Sequence, residues 1–231
     1  MTLLPHTSQE FEDELADVQR RLLAMGRQVD EVVESSGRAL LEQDVDLANR
    51  IIVGDRETDS MELEIDHLCL EILARRQPVA GDLRLLTSAL KLVVDLERVG
   101  DLGVSVAERV VELGTEPPLV PYDDLMVMLT TARGMVSDAL TALVQRDVAG
   151  ANRVIDKDDV IDAYYGQIFN HVISRMRENP ENISRATRIQ AISKYIERIG
   201  NHATNIAERV IFILTGEDIR HLNRLKRSDL S

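Results

Sequence analysis

Two aspartates stand where the spacing predicts an apolar residue. The segment 45–52 carries apolar side chains three and four residues apart, and the same steps lead on to Asp55 and Asp59. Positions spaced in this way lie on one face of a helix. Because burying an unpaired carboxylate is costly, acids at such positions need a cation or another partner nearby. Asp55 and Asp59 are therefore candidate ligands of a bound cation.

A second acidic pair lies on another predicted helix. Glu97 and Asp101 are four residues apart, so they project from one side of that helix, which also carries Leu86, Leu90 and Val104. This helix is expected to run antiparallel to the one with the aspartates, so the four carboxylates could meet. They would repel each other unless a cation lay among them, and oxygen ligands suit Mg²⁺, Ca²⁺, Mn²⁺ or iron. The pattern thus predicts a metal site.

The chain contains an internal repeat that copies these positions. The pattern Ala-Leu-x-x-x-Asp-Val-x-x-Ala-Asn-Arg-x-Ile begins at residue 39 and again at residue 142, an offset of 103. Later, Glu-Arg-Val-Gly-Asp at 97–101 matches Glu-Arg-Ile-Gly-Asn at 197–201, an offset of 100. The two halves are therefore expected to share one fold. The candidate ligands of a second metal site are Asp158, Asp162, Glu197 and Asn201.

The acids also have an interpretation without a metal. Acid pairs four residues apart on a helix are often solvated or paired with arginine, and Arg98 and Arg198 adjoin the two pairs. Asp95 and Arg98 are expected on the more solvated side of their helix. Gly100 and Gly200 interrupt helical patterns, where glycine costs about 1 kcal/mol relative to alanine. Either a close approach of a neighbouring helix or a slight kink would explain them.

Histidine gives little support to an enzyme. Glu64 and His67 fit the Glu-x-x-His pattern of di-iron bundles, but that pattern should occur twice and occurs once. His67 is therefore expected to be structural, and His202, close to the second acidic pair, is a weaker metal candidate. The sequence contains no Walker loop, GxSxG, HExxH or CxxC pair. A carboxylate-bridged di-metal oxidase and a metal-dependent phosphatase remain as alternatives that turnover assays would test.

Prolines mark the ends of the elements that must position these residues. Proline disrupts a helix interior, so its positions predict boundaries. Between them the apolar spacing predicts six helices, at about 7–42, 45–76, 80–114, 122–146, 148–178 and 181–215. Long helices joined by short loops pack as antiparallel bundles. The predicted fold is all-α, with two tandem three-helix bundles at 1–116 and 122–216, a linker at 117–121 and a basic C-terminal tail at 217–231.

Composition and charge narrow the classes of partner and location. The chain of 231 residues has 44% hydrophobic and 3% aromatic residues, which favours helices over strands. Its net charge of −13 argues against nucleic acid or an anionic membrane as the main partner. A single cysteine, Cys69, excludes an intrachain disulfide, and no apolar run approaches the ~18 residues that span a membrane. The chain also starts without a signal-peptide pattern, so a cytoplasmic protein is expected.

The repeated motifs resemble the PhoU phosphate-signalling family. Val-Asp-Leu-Glu-Arg-Val-Gly-Asp at 94–101 with Val-Ala-Glu at 106–108 looks like the first of its paired signatures. Tyr-Ile-Glu-Arg-Ile-Gly-Asn at 195–201 with Asn-Ile-Ala-Glu at 205–208 looks like the second. The segment 76–84 resembles the family's connection between its second and third helices. The resemblance runs from about residue 8 to 216, and the order of the motifs makes it specific.

The resemblance implies a regulatory adaptor rather than an enzyme. PhoU proteins are cytoplasmic tandem bundles, commonly dimeric, that repress the phosphate-starvation response when phosphate is plentiful. They are thought to link the ATPase subunit of the phosphate ABC transporter to a membrane sensor histidine kinase. Some carry iron, zinc or other metals on a Glu/Asp-x-x-x-Asp motif, which falls here on Glu97 and Asp101, with Asp55 and Asp59 nearby. Magnesium and manganese remain further possibilities, and a metal-free helical interaction module is the other alternative.

The sequence departs from the family pattern in both halves. Asn201 stands where the second motif would have aspartate, and Ser105 replaces the asparagine found at the matching Asn205. An amide oxygen can still bind a metal but carries no charge. The second metal site is therefore expected to be weaker than the first.

Overall fold

Helices account for all of the regular structure in the described part of the chain. The computed structural model describes residues 9–54 and 56–219, the side chain of Arg56 excepted, and these contain no strand. The elements are α1 Gln9–Glu42, α2 Val45–Val53, α3 Arg56–Arg76, α4 Ala80–Leu113, α5 Asp123–Gln145, α6 Val148–Asp156, α7 Asp158–Glu178, a single 3₁₀ turn Pro180–Asn182, and α8 Ile183–Thr215. The predicted all-α class is confirmed.

The prediction of one helix at 45–76 and one at 148–178 is wrong, because each is divided. In the second half the break falls at Lys157, whose amide bonds to the carbonyl of Val154, three residues back, at 3.1 Å. In the first half α2 ends at Gly54, which shares its amide between the carbonyls of Arg50 and Ile51. Periodicity missed both breaks since the apolar spacing continues across them. The two breaks, at Gly54 and Lys157, interrupt the helical hydrogen bonds at matching positions of the repeat.

Helix crossings follow these breaks, with a glycine at each crossing. Gly100 on α4 packs against Thr58 in the first turn of α3, and a methyl group on Gly100 would lie 3.4 Å from Thr58 Cγ2. Gly200 on α8 packs against Ile161 and Asp158 of α7, where a methyl group would lie only 2.5 Å from Ile161 Cδ1. The structure therefore supports the close approach for Gly200, whereas a methyl group on Gly100 would make an ordinary contact.

The two halves pack side by side through their long helices. In the first half α1 packs directly on α4, and α2 and α3 together form the third member of the bundle. In the second half α5 packs on α8, and α6 and α7 together form the third member. The halves join where α4 packs on α8 and α1 packs on α5, so their buried apolar residues form one continuous core. This arrangement confirms two tandem three-helix bundles.

Two glycines let α1 approach α5 closely. A methyl group on Gly26 would collide with Leu140, and one on Gly37 would collide with Leu129. Both glycines are buried, and they lie eleven residues apart, on one side of α1. Beside them, the Arg133 guanidinium on α5 donates to both carboxylate oxygens of Asp30 at 2.8 Å. The α1–α5 contact is therefore tight and fixed in register.

The boundaries predicted at 1–116, 117–121, 122–216 and 217–231 stay predictions. A loop separates α4 from α5 at residues 114–122, where the linker is expected. The predicted first helix begins at residue 7, and positions 7 and 8 lie outside the described residues. Of the basic tail, residues 217–219 follow α8 without regular structure, and residues 220–231 lie outside the described part.

One helix in the described residues, α5, is long and apolar enough to cross a membrane by length and composition alone. In the structure half of its apolar window is buried inside the protein. The buried side includes Met128, Ala132, Met135 and Ala139, and the helix packs against α1 and α8. This is how the central helix of a bundle behaves, so the apolar character of α5 is explained by the core.

Candidate carboxylate centre and the polar interface

Glu97 and Asp101 lie one turn apart on α4, as the sequence predicts. The Glu97 side chain is only 17% exposed. Burial, the neighbouring charge of Asp101 and the hydrogen bond between the two carboxyls raise the pKa of Glu97 to about 7, although Arg98 opposes the shift. A carboxyl with such a pKa is poised between its neutral and charged forms near neutral pH.

Arg98 bridges this acidic pair from the solvent side. Its guanidinium Nε lies 3.3 Å from Glu97 Oε2, and its Nη1 donates to Asp101 Oδ2 at 3.2 Å. The arginine side chain is itself 53% exposed, so water screens the attraction. Arg98 thus supplies a positive charge to the acidic pair, as the interpretation without a metal predicted.

Helix α3 adds two acids that the sequence analysis missed, Glu62 and Asp66. Burial raises the pKa of both, and for Glu62 the charges of Asp66 and Asp59 add to the effect. Glu62 also raises the pKa of Glu97 across the helix pair. One oxygen of Asp66, Oδ1, is buried without a hydrogen-bond partner among the described residues. The spacing 59, 62 and 66 along one helix face was the signal that could have found them.

The four acids predicted for the first site are only partly brought together. Asp55 lies outside the described residues, and Asp59 is exposed in the first turn of α3. Within residues 9–54 and 56–219, no group of three or more histidine, cysteine, aspartate or glutamate side chains is set closely enough to hold a metal. The arrangement is therefore a loose carboxylate cluster on the α3–α4 face, and the metal site stays a prediction.

The acids predicted for the second site are arranged differently. Asn201 donates its amide to Glu197 Oε1 at 3.0 Å, and the Lys194 ammonium lies 2.8 Å from Glu197 Oε2. Asp158 is buried at the start of α7, beside Gly200, where a carboxylate is favoured by the positive end of the helix dipole. Asp162 is exposed one turn later. In the second half the ammonium of Lys194 therefore already neutralises the charge of Glu197.

Asp95 corrects another expectation, because it lies buried rather than on the solvated side of α4. Its carboxylate faces α8, where His202 Nδ1 lies 2.9 Å from Oδ1 and Arg209 Nε donates to Oδ2 at 3.0 Å. Asn205 also donates to Oδ1, at 3.4 Å. Burial alone would raise the pKa of Asp95, but the hydrogen bonds from His202 and Arg209 outweigh burial, so that pKa lies below its usual value.

This interface explains the histidine that the sequence analysis considered near a metal. His202 sits between the bundles and pairs with Asp95, so its ring serves the packing of α8 on α4. His67 is exposed, and its motif partner Glu64 forms an ion pair with Arg21 of α1 at 3.1 Å. In the Glu-x-x-His segment, Glu64 therefore helps to hold α3 against α1.

The α3–α4 cluster fits a hard cation in its chemistry. Its donors are carboxylate oxygens, and three of them, on Glu62, Asp66 and Glu97, have raised pKa values because burial disfavours their charged forms. A cation would stabilise those charged forms, since it replaces lost hydration with direct attraction. The cluster therefore has donors of the type that hard cations prefer, and cation binding at it stays a prediction.

Comparison with known proteins identifies relatives along nearly the whole chain. A family model described as the PhoU domain matches residues 22–110 and 125–210. A "phosphate-specific transport system accessory protein PhoU homolog" of Pseudomonas putida is 40% identical over 98% of this chain and 88% of its own length. A protein of the same name in Aquifex aeolicus is 37% identical over 90% of this chain and 94% of its own length.

Solved structures give the same result for the fold. The crystal structure of PhoU from Pseudomonas aeruginosa superposes with a TM-score of 0.85 at 39% identity, covering 90% of this chain and 100% of that chain. The phosphate transport system regulatory protein PhoU from Streptococcus pneumoniae superposes with a TM-score of 0.84 at 29% identity, covering 90% of this chain and 98% of that chain. Both bundles take part in the match.

Proposed function

Because this chain belongs to the PhoU family, we propose that it is a regulator that represses phosphate uptake and the phosphate-starvation response when phosphate is plentiful. The observation that carries the proposal is the match of both bundles to PhoU, over 98% of the chain in one relative. That relative is named an accessory protein of a phosphate-specific transport system. The same role here makes the chain an adaptor rather than an enzyme.

The proposed partners are the ATPase of a phosphate ABC transporter and a membrane sensor histidine kinase. Both assignments follow from the family resemblance. A net charge of −13 supports docking on basic protein surfaces, because long-range attraction speeds and orients association. Binding to these two partners would require the chain to be in the cytoplasm. A homodimer is also proposed, because members of the family are commonly dimeric.

The proposed metal site lies in the first bundle. Its ligands would come from Glu97 and Asp101 on α4, with Asp55 and Asp59 as the sequence predicts and Glu62 as a further donor from α3. The metal remains to be identified among iron, zinc, magnesium and manganese. When bound, the ion would supply positive charge that relieves repulsion among these carboxylates. The residues themselves would then hold α3 against α4 more firmly and present a less negative surface.

A second candidate, a metal-free interaction module, is favoured by one observation. Arg98 already contacts both Glu97 and Asp101, so the pair has a counter-charge of its own. In that case the cluster would respond to pH but would need no ion for docking. Elemental analysis of the protein purified without added metal separates the two candidates, since only the metal-binding form should retain stoichiometric metal.

The regulatory role is tested in cells that lack this chain. We expect such cells to take up phosphate without repression in phosphate-rich medium, and the wild-type chain to restore repression. Pull-down from phosphate-rich and phosphate-starved cells should recover the transporter ATPase or the kinase under the rich condition only. Normal repression in the deletion cells would contradict the proposal.

A paired set of variants tests whether the carboxylate cluster takes part. Glu97→Gln with Asp101→Asn should lower metal content and weaken repression. The control, Glu42→Gln with Asp46→Asn, removes the same two charges from exposed positions at the end of α1 and the start of α2. Equal losses in both variants would mean that overall charge matters and the cluster does not.

A further inference from the structure

The two halves differ at four of the positions where the first half gathers its acids. The matching residues, first half then second, are Glu62 and Tyr165, Asp66 and Phe169, Val94 and Lys194, and Asp101 and Asn201. Asp59 and Asp162, Glu97 and Glu197, and Arg98 and Arg198 keep their charge. At these seven pairs of positions the first half has five carboxylates and one guanidinium. The second half has two carboxylates, one ammonium and one guanidinium.

Lys194 places a positive charge beside Glu197 and Tyr165. Its ammonium lies 2.8 Å from Glu197 Oε2 and 5.3 Å from the centre of the Tyr165 ring. Glu197 is the more buried partner, with 14% of its side chain exposed, and Asn201 holds its other oxygen. The lysine charge is therefore held by a carboxylate and by the face of an aromatic ring, two interactions that favour a cation.

The donor set of the second half does not fit a metal ion. A divalent cation needs several oxygen ligands, yet two of the acid positions are aromatic and a third is an amide. The ion would also have to displace an ammonium whose own charge repels it at short range. Among residues 158–201, all of which the structure describes, no group of three potential ligands comes together.

We propose that Lys194 is a built-in substitute for metal, so that only the first bundle responds to metal ions while the second is permanently neutralised. The inference rests on the metal site proposed for the first bundle. It overturns the expectation, drawn from the sequence, that Asp158, Asp162, Glu197 and Asn201 form a second, weaker site. The charge of the first bundle would then change with metal binding, and the charge of the second would not.

Titration with Mn²⁺ alone, followed by calorimetry, tests this assignment on the full chain. The wild type should bind at the first bundle, and Glu97→Gln with Asp101→Asn should weaken binding at least tenfold with no residual site. Adding Tyr165→Glu, Phe169→Asp, Lys194→Val and Asn201→Asp to that variant gives the second bundle the residues of the first at all four differing positions and should restore binding. The same variant with Lys194 retained should not bind. Residual binding in the Glu97→Gln, Asp101→Asn variant that Glu197→Gln then removes would overturn the proposal, as would failure of the four added substitutions to restore any binding.

A wild type that binds no Mn²⁺ would defeat the metal part of the proposed function without deciding this inference. In that event the pairing of Lys194 with Glu197 is decided by a measurement that needs no metal. Thermal unfolding gives an independent readout. Lys194→Met should lower Tm in the wild type and leave it unchanged beside Glu197→Gln, whereas an equal drop in both backgrounds would refute the pairing.

Lys91→Met is the matched control for the lysine. Lys91 is an exposed lysine on α4, so its loss removes the same charge away from Glu197. Far-ultraviolet circular dichroism checks that each variant keeps its helices. If Lys91→Met lowered Tm as much as Lys194→Met, net charge rather than the Lys194 position would explain the result, and the proposal would fail.

Discussion

At the scale of single residues, Glu97 is a carboxyl whose charge changes near neutral pH. Burial and Asp101 raise its pKa to about 7 from an ordinary value of 4.5. The folded protein therefore holds this proton more tightly than the unfolded chain does. It follows that the free energy of unfolding falls as pH rises from about 4.5 to 7, and that this contribution is constant above 7.

Glu97→Gln should remove that pH dependence. Glutamine keeps the shape of the side chain but carries no charge, so the variant should equal the wild type near pH 4.5 and exceed its stability by roughly 3 kcal/mol at pH 8, since each pKa unit corresponds to about 1.4 kcal/mol. Urea unfolding at pH 4.5, 6 and 8 measures the difference. Glu31→Gln, at an exposed site on α1, is the control. A constant difference at all three pH values would contradict the raised pKa.

Asp95 should be far less tolerant of change. Asp95→Ala leaves Arg209 and His202 between the bundles without their shared carboxylate, and loss of one partner of a buried charge pair costs roughly 3 kcal/mol. Asp95→Asn keeps an oxygen acceptor and should cost less. Chemical denaturation compares the two variants. If Asp95→Ala cost under about 0.5 kcal/mol, the value typical of an exposed position, the network would have no structural role.

At the scale of helices, periodicity predicted where the chain is helical but not where the helices break. Breaks at Gly54 and Lys157 depend on tertiary packing of the following turn against Gly100 and Gly200, which spacing within one helix does not report. The same limit applies to the site. Glu97 and Asp101 were found because they share one helix, whereas Glu62 needed the packing of α3 on α4.

Asp95 shows the opposite error. A charged residue beside Lys91 and Arg98 on the helical wheel was assigned to solvent, because a single half of the chain contains nothing to cover it. Its partners, His202 and Arg209, lie more than one hundred residues away on α8. Only the packing of one bundle on the other brings them together, and the repeat itself gave no sign of which faces would meet.

The glycines of α1 allow a test of helix packing. Gly26→Ala should lower stability by about 1–3 kcal/mol, because the new methyl group collides with Leu140 of α5. Gly134→Ala on α5 is the matched control: nothing lies within 4 Å of its Cβ position, so helix propensity should raise stability by up to about 1 kcal/mol. Thermal melts compare the two. Stabilisation by Gly26→Ala would contradict the close approach of α1 and α5.

At the scale of the whole molecule, the two bundles should behave as one folding unit. They share a continuous apolar core, and Asp95 with Arg209 and Asp30 with Arg133 join them across the interface. The connecting loop contributes less, with Arg185 donating to the carbonyl of Pro117. Contacts between helices, rather than the covalent connection, should therefore hold the halves together.

Cutting the loop tests this directly. A protease site inserted after the exposed Pro118 should allow cleavage without separation, so the cut protein should elute from a sizing column at the volume of the intact chain. The uncut insertion variant is the control for any effect of the added residues. Elution of two half-sized species would mean that the bundles are only tethered, and that their interface is weak.

The polar contact between α4 and α8 also decides which halves recognise each other. At an offset of 100, the counterparts of Asp95, His202 and Arg209 are Tyr195, Leu102 and Arg109, so the interface is chemically one-sided although the backbone is repeated. Produced as separate polypeptides, two copies of the N-terminal piece would oppose Asp95 to Leu102, which cannot donate a hydrogen bond, and would leave Arg109 as its one matching partner. The contact between α4 and α8 therefore favours the pairing of two unlike halves over the pairing of two identical N-terminal halves.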